Sequence, residues 1–237
     1  MAYTTIKKPS DYFNTKLYTG NGGTNALTGV GFQPDLTWIK ERGATGDHFW
    51  CDAVRGVTKY ILSNASGAEG TNANTLTAFG TDGFTLGSDG WTNNNSDTYA
   101  SWNWKAGTAF TNDASSTGIG TIDSTGSVSD TSGFSIVSYT GTGSAGTIKH
   151  GLSSIPKMII VKDLDSGSYA WHVYTAALGN TKTNYLNLAN APATDSIYWN
   201  NTTPTSSVFS VGSSVTTNNS GDRFIAYCFA DIKGFSK

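Results

Sequence analysis

Charge is scarce in this chain: acidic and basic residues make up 14% of its 237 residues, against about 25% in ordinary soluble domains. The net charge is −2 and the only adjacent lysines are Lys7 and Lys8, so there is no basic stripe to follow a nucleic-acid backbone. Nucleic acid is therefore not expected as a partner. Glutamate is rarer still, with Glu41 and Glu69 alone. No close pair of carboxylates lies on an alternating strand, as a sandwich-fold glycosidase would need. Only two cysteines occur, Cys51 and Cys228, each beside aromatic residues; they read as reduced, buried packing residues. No Cys or His pair has ligand spacing, so no metal site or cofactor is expected. No apolar run reaches the roughly 18 residues of a membrane span, and residues 1–10 lack the apolar centre of an export signal. Heptads and collagen-like triplets, the marks of a fibre stalk, are also missing.

What is present is glycine, at 28 residues, and aromatic residues, at 12%. Many turns and a few large side chains suit thin β-sandwich cores better than helical bundles. The signals also come twice. Tyr18-Thr19-Gly20 returns as Tyr139-Thr140-Gly141, and the segment from Pro34 to Lys40 returns from Pro156 to Lys162. Phe84-Thr85-Leu86-Gly87 returns as Phe209-Ser210-Val211-Gly212, and Asn93, Asn94 and Asp97 return as Asn218, Asn219 and Asp222. Matches kept in one order predict an internal duplication. The expected fold is all-β, two tandem β-sandwich units of jelly-roll-like form at 13–106 and 134–237. Residues 1–12 are expected as an N-terminal arm and 107–133 as a Gly/Ser/Thr-rich linker or extended crossing segment.

Within each unit, 35–40 and 157–162 are mostly apolar runs preceded or begun by proline, as central strands covered on both faces would be. From Tyr99 to Ala106 the residues alternate, and the reading puts Trp102 and Trp104, with Tyr227 and Phe229 in the repeat, on the core face. Helical spacing is nearly absent. Val54, Val57 and Ile61 allow one short helix within 52–62, with a partner within 174–188.

Chemistry-bearing constellations are thin. His48, His150 and His172 lie near no nucleophile motif, so no catalytic residue is expected and the chain reads as a non-enzyme. His48 with Trp50, and Trp171 with His172, fall at matching places in the two units. They are the candidate glycan contacts, an aromatic ring beside a hydrogen bonder, against the plainer alternative of a strand whose Trp packs inside. Asp163 and Asp165 have the alternate-oxygen look of a calcium loop, but the later ligands are missing and a solvated turn is the better reading. Lys7, Lys8 and Pro9 give the leading arm positive charge and an extended backbone, and make it the candidate docking arm.

The string Ile6-Lys7-Lys8-Pro9-Ser10-Asp11-Tyr12-Phe13, with Lys16 to Gly22, Gly29 to Lys40 and Tyr99 to Ala106, resembles a family of tailed-bacteriophage virion proteins common in marine phages. The second unit, through Gly133 to Gly141, His150-Gly151-Leu152 and Ile225 to Ala230, is similar to the repeat that follows in those proteins. The resemblance implies a non-enzymatic virion protein on the particle surface, assembled in the bacterial host cytoplasm. Its implied partners are other capsid or tail proteins, and analogy with phage appendages suggests a homo-oligomer, a trimer. Many relatives continue into further repeats past the Gly234-Phe235-Ser236 element, and a chain ending at Lys237 leads to the expectation of a compact virion component; the lack of a heptad stalk, a collagen-like segment and a long anchoring domain turns that expectation toward head decoration. The alternatives are a tail fibre or tailspike module binding host surface glycans, and a free carbohydrate-binding module.

Overall fold

The computed structural model describes residues 4–237. The chain divides into two units, 7–107 and 108–237, the second also taking in 4–6. In the first, the strands are β1 (Phe13–Thr19), β2 (Asn25–Thr28), β3 (Leu36–Glu41), β4 (His48–Asp52), β5 (Lys59–Leu62), β6 (Gly70–Thr71), β7 (Leu76–Gly80), β8 (Gly83–Leu86) and, after helix α1 (Gly90–Asn93), β9 (Thr98–Trp104). They form a six-stranded sheet in the order β1-β9-β3-β4-β5-β6 and a three-stranded sheet β2-β8-β7. Tyr18, Ile39, Phe49, Cys51 and Tyr99 from the large sheet meet Leu27, Leu76, Phe84 and Leu86 from the small one in a single apolar cluster. Two sheets closed over one core make a β-sandwich.

The second unit begins with β10 (Thr108–Asn112), α2 (Ala114–Thr117) and β11 (Ser124–Ser129). Next come β12 (Phe134–Thr140), β13 (Gly146–Lys149), β14 (Pro156–Asp163), β15 (His172–Thr175), β16 (Lys182–Tyr185), β17 (Ala193–Thr194), α3 (Ser196–Trp199), β18 (Val208–Val211), α4 (Val215–Asn218) and β19 (Arg223–Ala230). The large sheet runs β10-β11-β12-β19-β14-β15-β16-β17, and β13 pairs with β18 above it. From β12 onward this is the strand order of the first unit, with β12 in the place of β1 and β19 in that of β9. The register agrees as well: Tyr18 faces Tyr99 and Tyr139 faces Phe224. In the first unit, and in the second from β12 onward, the first strand pairs with the last and the second with the strand before it, as in a jelly roll. The remaining strands depart from that pattern and run as a plain meander.

Three sequence expectations are corrected. Residues 107–133 are not a linker: β10 and β11 pair with each other and, through Ser124–Ser129, with β12, so hydrogen-bond ladders order a segment whose composition reads as flexible. No helix forms within 52–62 or 174–188; the first stretch is a turn followed by β5, and the helices are single turns elsewhere. The core face of β9 is the opposite one. Tyr99, Ser101 and Asn103 are fully buried, while Trp102 and Trp104 are half-buried on the other face, Trp102 against Trp38 at 5.2 Å and Trp104 against Phe13 at 4.9 Å. In β19 the same shift holds: Phe224, Ala226, Cys228 and Ala230 belong to the core cluster. Tyr227 is fully buried outside it and Phe229 half-buried.

The leading arm is corrected in part. Ile6 is buried, Pro9–Asp11 form a 3-10 turn opened by the proline, and the Lys105 amide donates to the Tyr12 carbonyl at 2.9 Å. Residues 6–12 are therefore folded rather than trailing, and residues 1–3 of the arm lie outside the described residues.

Candidate functional site

One end of each sandwich is built by the turn after the first strand meeting the turn before the last. In the first unit the Gly20 amide donates to Asp97 O at 2.8 Å and the Gly22 amide to Asn93 O at 2.9 Å; in the second, Gly141 donates to Asp222 O at 2.9 Å and Gly143 to Asn218 O at 2.8 Å. The approach is so close that a β-carbon on Gly20 would fall on the Asn94 carbonyl oxygen, and one on Gly141 on that of Asn219. Steric room, not a special backbone angle, requires glycine here. Beneath each turn lies a buried asparagine. Asn93 Nδ2 donates to Gly23 O and Gly87 O, both at 2.7 Å, and its Oδ1 accepts from Asn21 N at 3.0 Å. Asn218 repeats this with Ser144 O and Gly212 O, both at 2.7 Å, and Thr142 N at 2.8 Å. A tyrosine hydroxyl braces the same end, Tyr18 donating to Thr92 O at 2.7 Å and Tyr139 to Thr217 O at 2.6 Å. A lysine then ties down the loop after the third strand: Lys40 Nζ reaches Ala44 O at 2.8 Å, and Lys162 Nζ reaches Ser166 O at 3.4 Å. Such ends hold loops on a rigid frame, the arrangement in which loops commonly carry function.

The residues singled out in the sequence do not assemble into a site. Trp50, Trp171 and His172 are 3%, 0% and 2% exposed, so none can serve as a glycan platform; each is a packing residue, and His48, half-buried, has its ring 6.3 Å from the half-buried Trp38 rather than against Trp50. Their recurrence reflected a shared strand, not a shared ligand. Lys8 is paired with Asp11 at 2.9 Å, both side chains well exposed, and Lys7 is exposed. The calcium-loop look of Asp163 and Asp165 resolves into a turn. Asp163 Oδ1 accepts from the amides of Asp165 and Ser166 at 2.8 and 2.9 Å, while Asp165 is taken by Arg223 at 2.6 Å. Among the described residues no group of three His, Cys, Asp or Glu is placed to hold a metal ion. Both cysteines are free and buried, and burial pushes their thiols up to about 12, which makes them inert.

Sequence reasoning missed two features. A cleft of about 330 Å³ opens beside Asn112, Asp113, Asp123 and Thr140. Its carboxylates already have structural work: Asp113 caps α2 through Ser116 N at 3.0 Å, and Asp123 accepts from Ala114 N at 2.8 Å. The other is a buried ion-pair network in which Arg55 joins Asp52 to Glu69. The Asp52-x-x-Arg55 spacing was its only visible sign.

His150 and His172 are structural, and they carry a pH prediction. Burial pulls both down to about 4 from 6.5. The His150 ring accepts the Leu152 amide at Nδ1 (3.2 Å), which leaves Nε2 to donate to Thr205 O at 3.1 Å. In the window from pH 6.5 to 4 the unfolded chain binds protons that the folded chain refuses, so stability falls as pH falls. The full effect is about 3 kcal/mol per histidine. Asp89 and Asp163, raised by burial, act in the opposite sense as pH falls toward the ordinary carboxylate range, so the contribution is read as a difference. Urea unfolding at pH 7 and 4.5 should show a smaller drop for His172→Phe than for the unaltered protein; equal drops would mean that His172 is protonated without cost.

No helix among the described residues is long and apolar enough to cross a membrane. Searches of curated proteins and of solved structures return no match. A family model does match, over residues 8–237 and hence across both sandwiches, and on that match the chain belongs to the family described as a domain of unknown function, DUF7483.

Proposed function

We propose that this protein is a non-enzymatic structural component of a tailed-phage particle, displayed on its surface as a head decoration. The observation that carries the reading is the repetition of one rigid frame: two units with one strand order, each with its loop end locked by a buried asparagine and a close-approach glycine. Internally braced sandwiches of like strand order suit a part whose task is to hold surfaces in place. The sparse charge, the inert buried thiols and the commitment of Asp52, Asp113, Asp123, Asp163 and Asp165 to turns and ion pairs support the same reading. The resemblance of its motifs to virion proteins supplies the particle.

The test is to raise antibody against the purified protein, label intact particles with gold conjugate and image them. Label distributed over the head is the expected result. Label confined to the tail tip would replace decoration by a tail fibre or spike, and protein that stays in the lysate supernatant while particles sediment without it would overturn the virion reading altogether.

A further inference from the structure

The two loop ends differ in one respect that the shared frame does not explain. The first carries Trp91, 58% exposed, the only exposed one among seven tryptophans. It stands on α1, where the buried packing is done by Thr92 and Asn93, and in the repeat its place on α4 is taken by Thr216. The frame therefore does not need this indole. An exposed indole with no packing role forgoes the burial that usually holds an aromatic ring in place.

Beside it lies Glu41, at the end of β3 and half-buried. Among the described residues its carboxylate takes no hydrogen bond and no ion pair; Lys40 Nζ reaches only its backbone carbonyl, at 2.6 Å. Gly46 stands between the two side chains and leaves a shallow, methyl-sized notch there. A β-carbon on Gly46 would stand 3.4 Å from Glu41 Oε2 and 3.8 Å from Trp91 Cε3. The loop that carries Gly46 is itself pinned by the Lys40 bond to Ala44 O at 2.8 Å, so the notch is preformed.

We propose that Trp91, Glu41 and the notch at Gly46 form a binding site for one neutral pyranose ring of a polysaccharide. The chemistry matches part by part. A pyranose has an apolar C–H face that lies on an indole, and its edge carries adjacent hydroxyls that donate to a carboxylate with two free oxygens. A single open ring favours a flat sugar over a methylated ammonium, which is recognised by a cage of several rings. The unpaired negative charge of Glu41 selects against uronic and sialic acids. The site goes beyond the virion reading and does not require it, since binding is a property of the isolated protein.

The experiment uses the full chain on an array of neutral and acidic oligosaccharides, followed by titration calorimetry with the best neutral one. The expected result is binding to neutral pyranosides and none to their uronic-acid counterparts. Trp91→Ala should weaken it about tenfold or more, Glu41→Gln by a smaller factor, and Gly46→Val by filling the notch. Because Trp91 is exposed, unchanged circular dichroism and melting are expected for Trp91→Ala, and Trp91→Phe should retain part of the affinity. No neutral oligosaccharide bound at millimolar concentration, binding that Trp91→Ala leaves unchanged, or tighter binding of tetramethylammonium than of any sugar would each overturn the proposal.

Discussion

Asn218→Leu is expected to destabilise the protein by about 4 kcal/mol, and Asn93→Leu by a similar amount, although neither residue contributes to an apolar core. Each is completely buried, and each bridges two strand-end turns through three or more bonds to backbone groups. With leucine at 218, Gly212 O and the Thr142 amide lose the bond Asn218 gives them, and Ser144 O is left with the Thr142 hydroxyl at 3.0 Å. A buried polar group left unpaired costs about 1–3 kcal/mol; Gly212 O is buried and the Thr142 amide part-buried, and a branched leucine forced into a site shaped for a planar amide adds about 1–3 kcal/mol of strain. Asn218→Asp separates this account from one of simple packing. The shape is kept and the Thr142 bond survives, but an oxygen then faces two carbonyl oxygens, so the isosteric change should be nearly as harmful as leucine. Urea unfolding followed by tryptophan fluorescence gives the comparison. A loss below about 1 kcal/mol for both changes would show that the turn is held by the glycine approach and the tyrosine hydroxyl alone.

The same asparagines show how much of the fold could be read beforehand. They were visible as recurring turn residues, together with the tyrosine–glycine element and the proline ahead of each central strand, and these signals are local: they follow from backbone geometry that few residue types satisfy. What could not be read was which face of a strand meets the core. In β9 the large aromatics Trp102 and Trp104 alternate with Ser101 and Asn103, and hydropathy points to the tryptophans. The structure buries the polar pair instead, with Asn103 Nδ2 donating to Asn14 O at 3.1 Å and to Ser101 Oγ at 3.1 Å. A strand covered on both faces gives alternation no solvent side to mark, so partners elsewhere in the chain decide. The segment 107–133 failed for a related reason. Gly, Ser and Thr lower the mean hydropathy as in a linker, yet a strand of Ser and Thr is ordered once a neighbour offers a ladder, as β12 does for β11 and β11 for the edge strand β10.

The candidate site was less legible than the fold. Recurrence in the sequence led to Trp50 and to Trp171 with His172, which recur because they sit on equivalent strands and are buried for that reason. Trp91 carries no motif in the sequence, and Glu41 stands out there only as one of two glutamates with no carboxylate near it. Their significance comes from departure: where two units share a frame, the residue that breaks the match, exposed and unused in packing, is the one to examine for contact with another molecule. That comparison needs burial and loop geometry, which a single sequence does not supply.

Asp52→Ala should cost the first unit about 3–5 kcal/mol, the other large effect. Asp52 is completely buried, and Arg55 and Glu69 have side chains only 3% and 4% exposed. Asp52 Oδ2 accepts from Arg55 Nε at 2.5 Å and its Oδ1 from the Arg55 amide at 2.9 Å; the guanidinium also donates to Trp50 O at 2.8 Å. Glu69 approaches the guanidinium at 3.5 Å, with Lys59 at 3.6 Å on its other side. Removing Asp52 takes from a buried guanidinium its nearest carboxylate, and a buried charge stripped of its counter-charge is far costlier than a missing pair. The double change Asp52→Leu with Arg55→Met removes both charges and keeps the apolar volume, so it should be less harmful than Asp52→Ala alone. That ordering, measured by thermal and urea unfolding, distinguishes a network retained for its geometry from one that simply adds stability. If Asp52→Ala instead costs under about 1 kcal/mol, Arg55 must be able to swing into water, and the turn between β4 and β5 is looser than its hydrogen bonds imply.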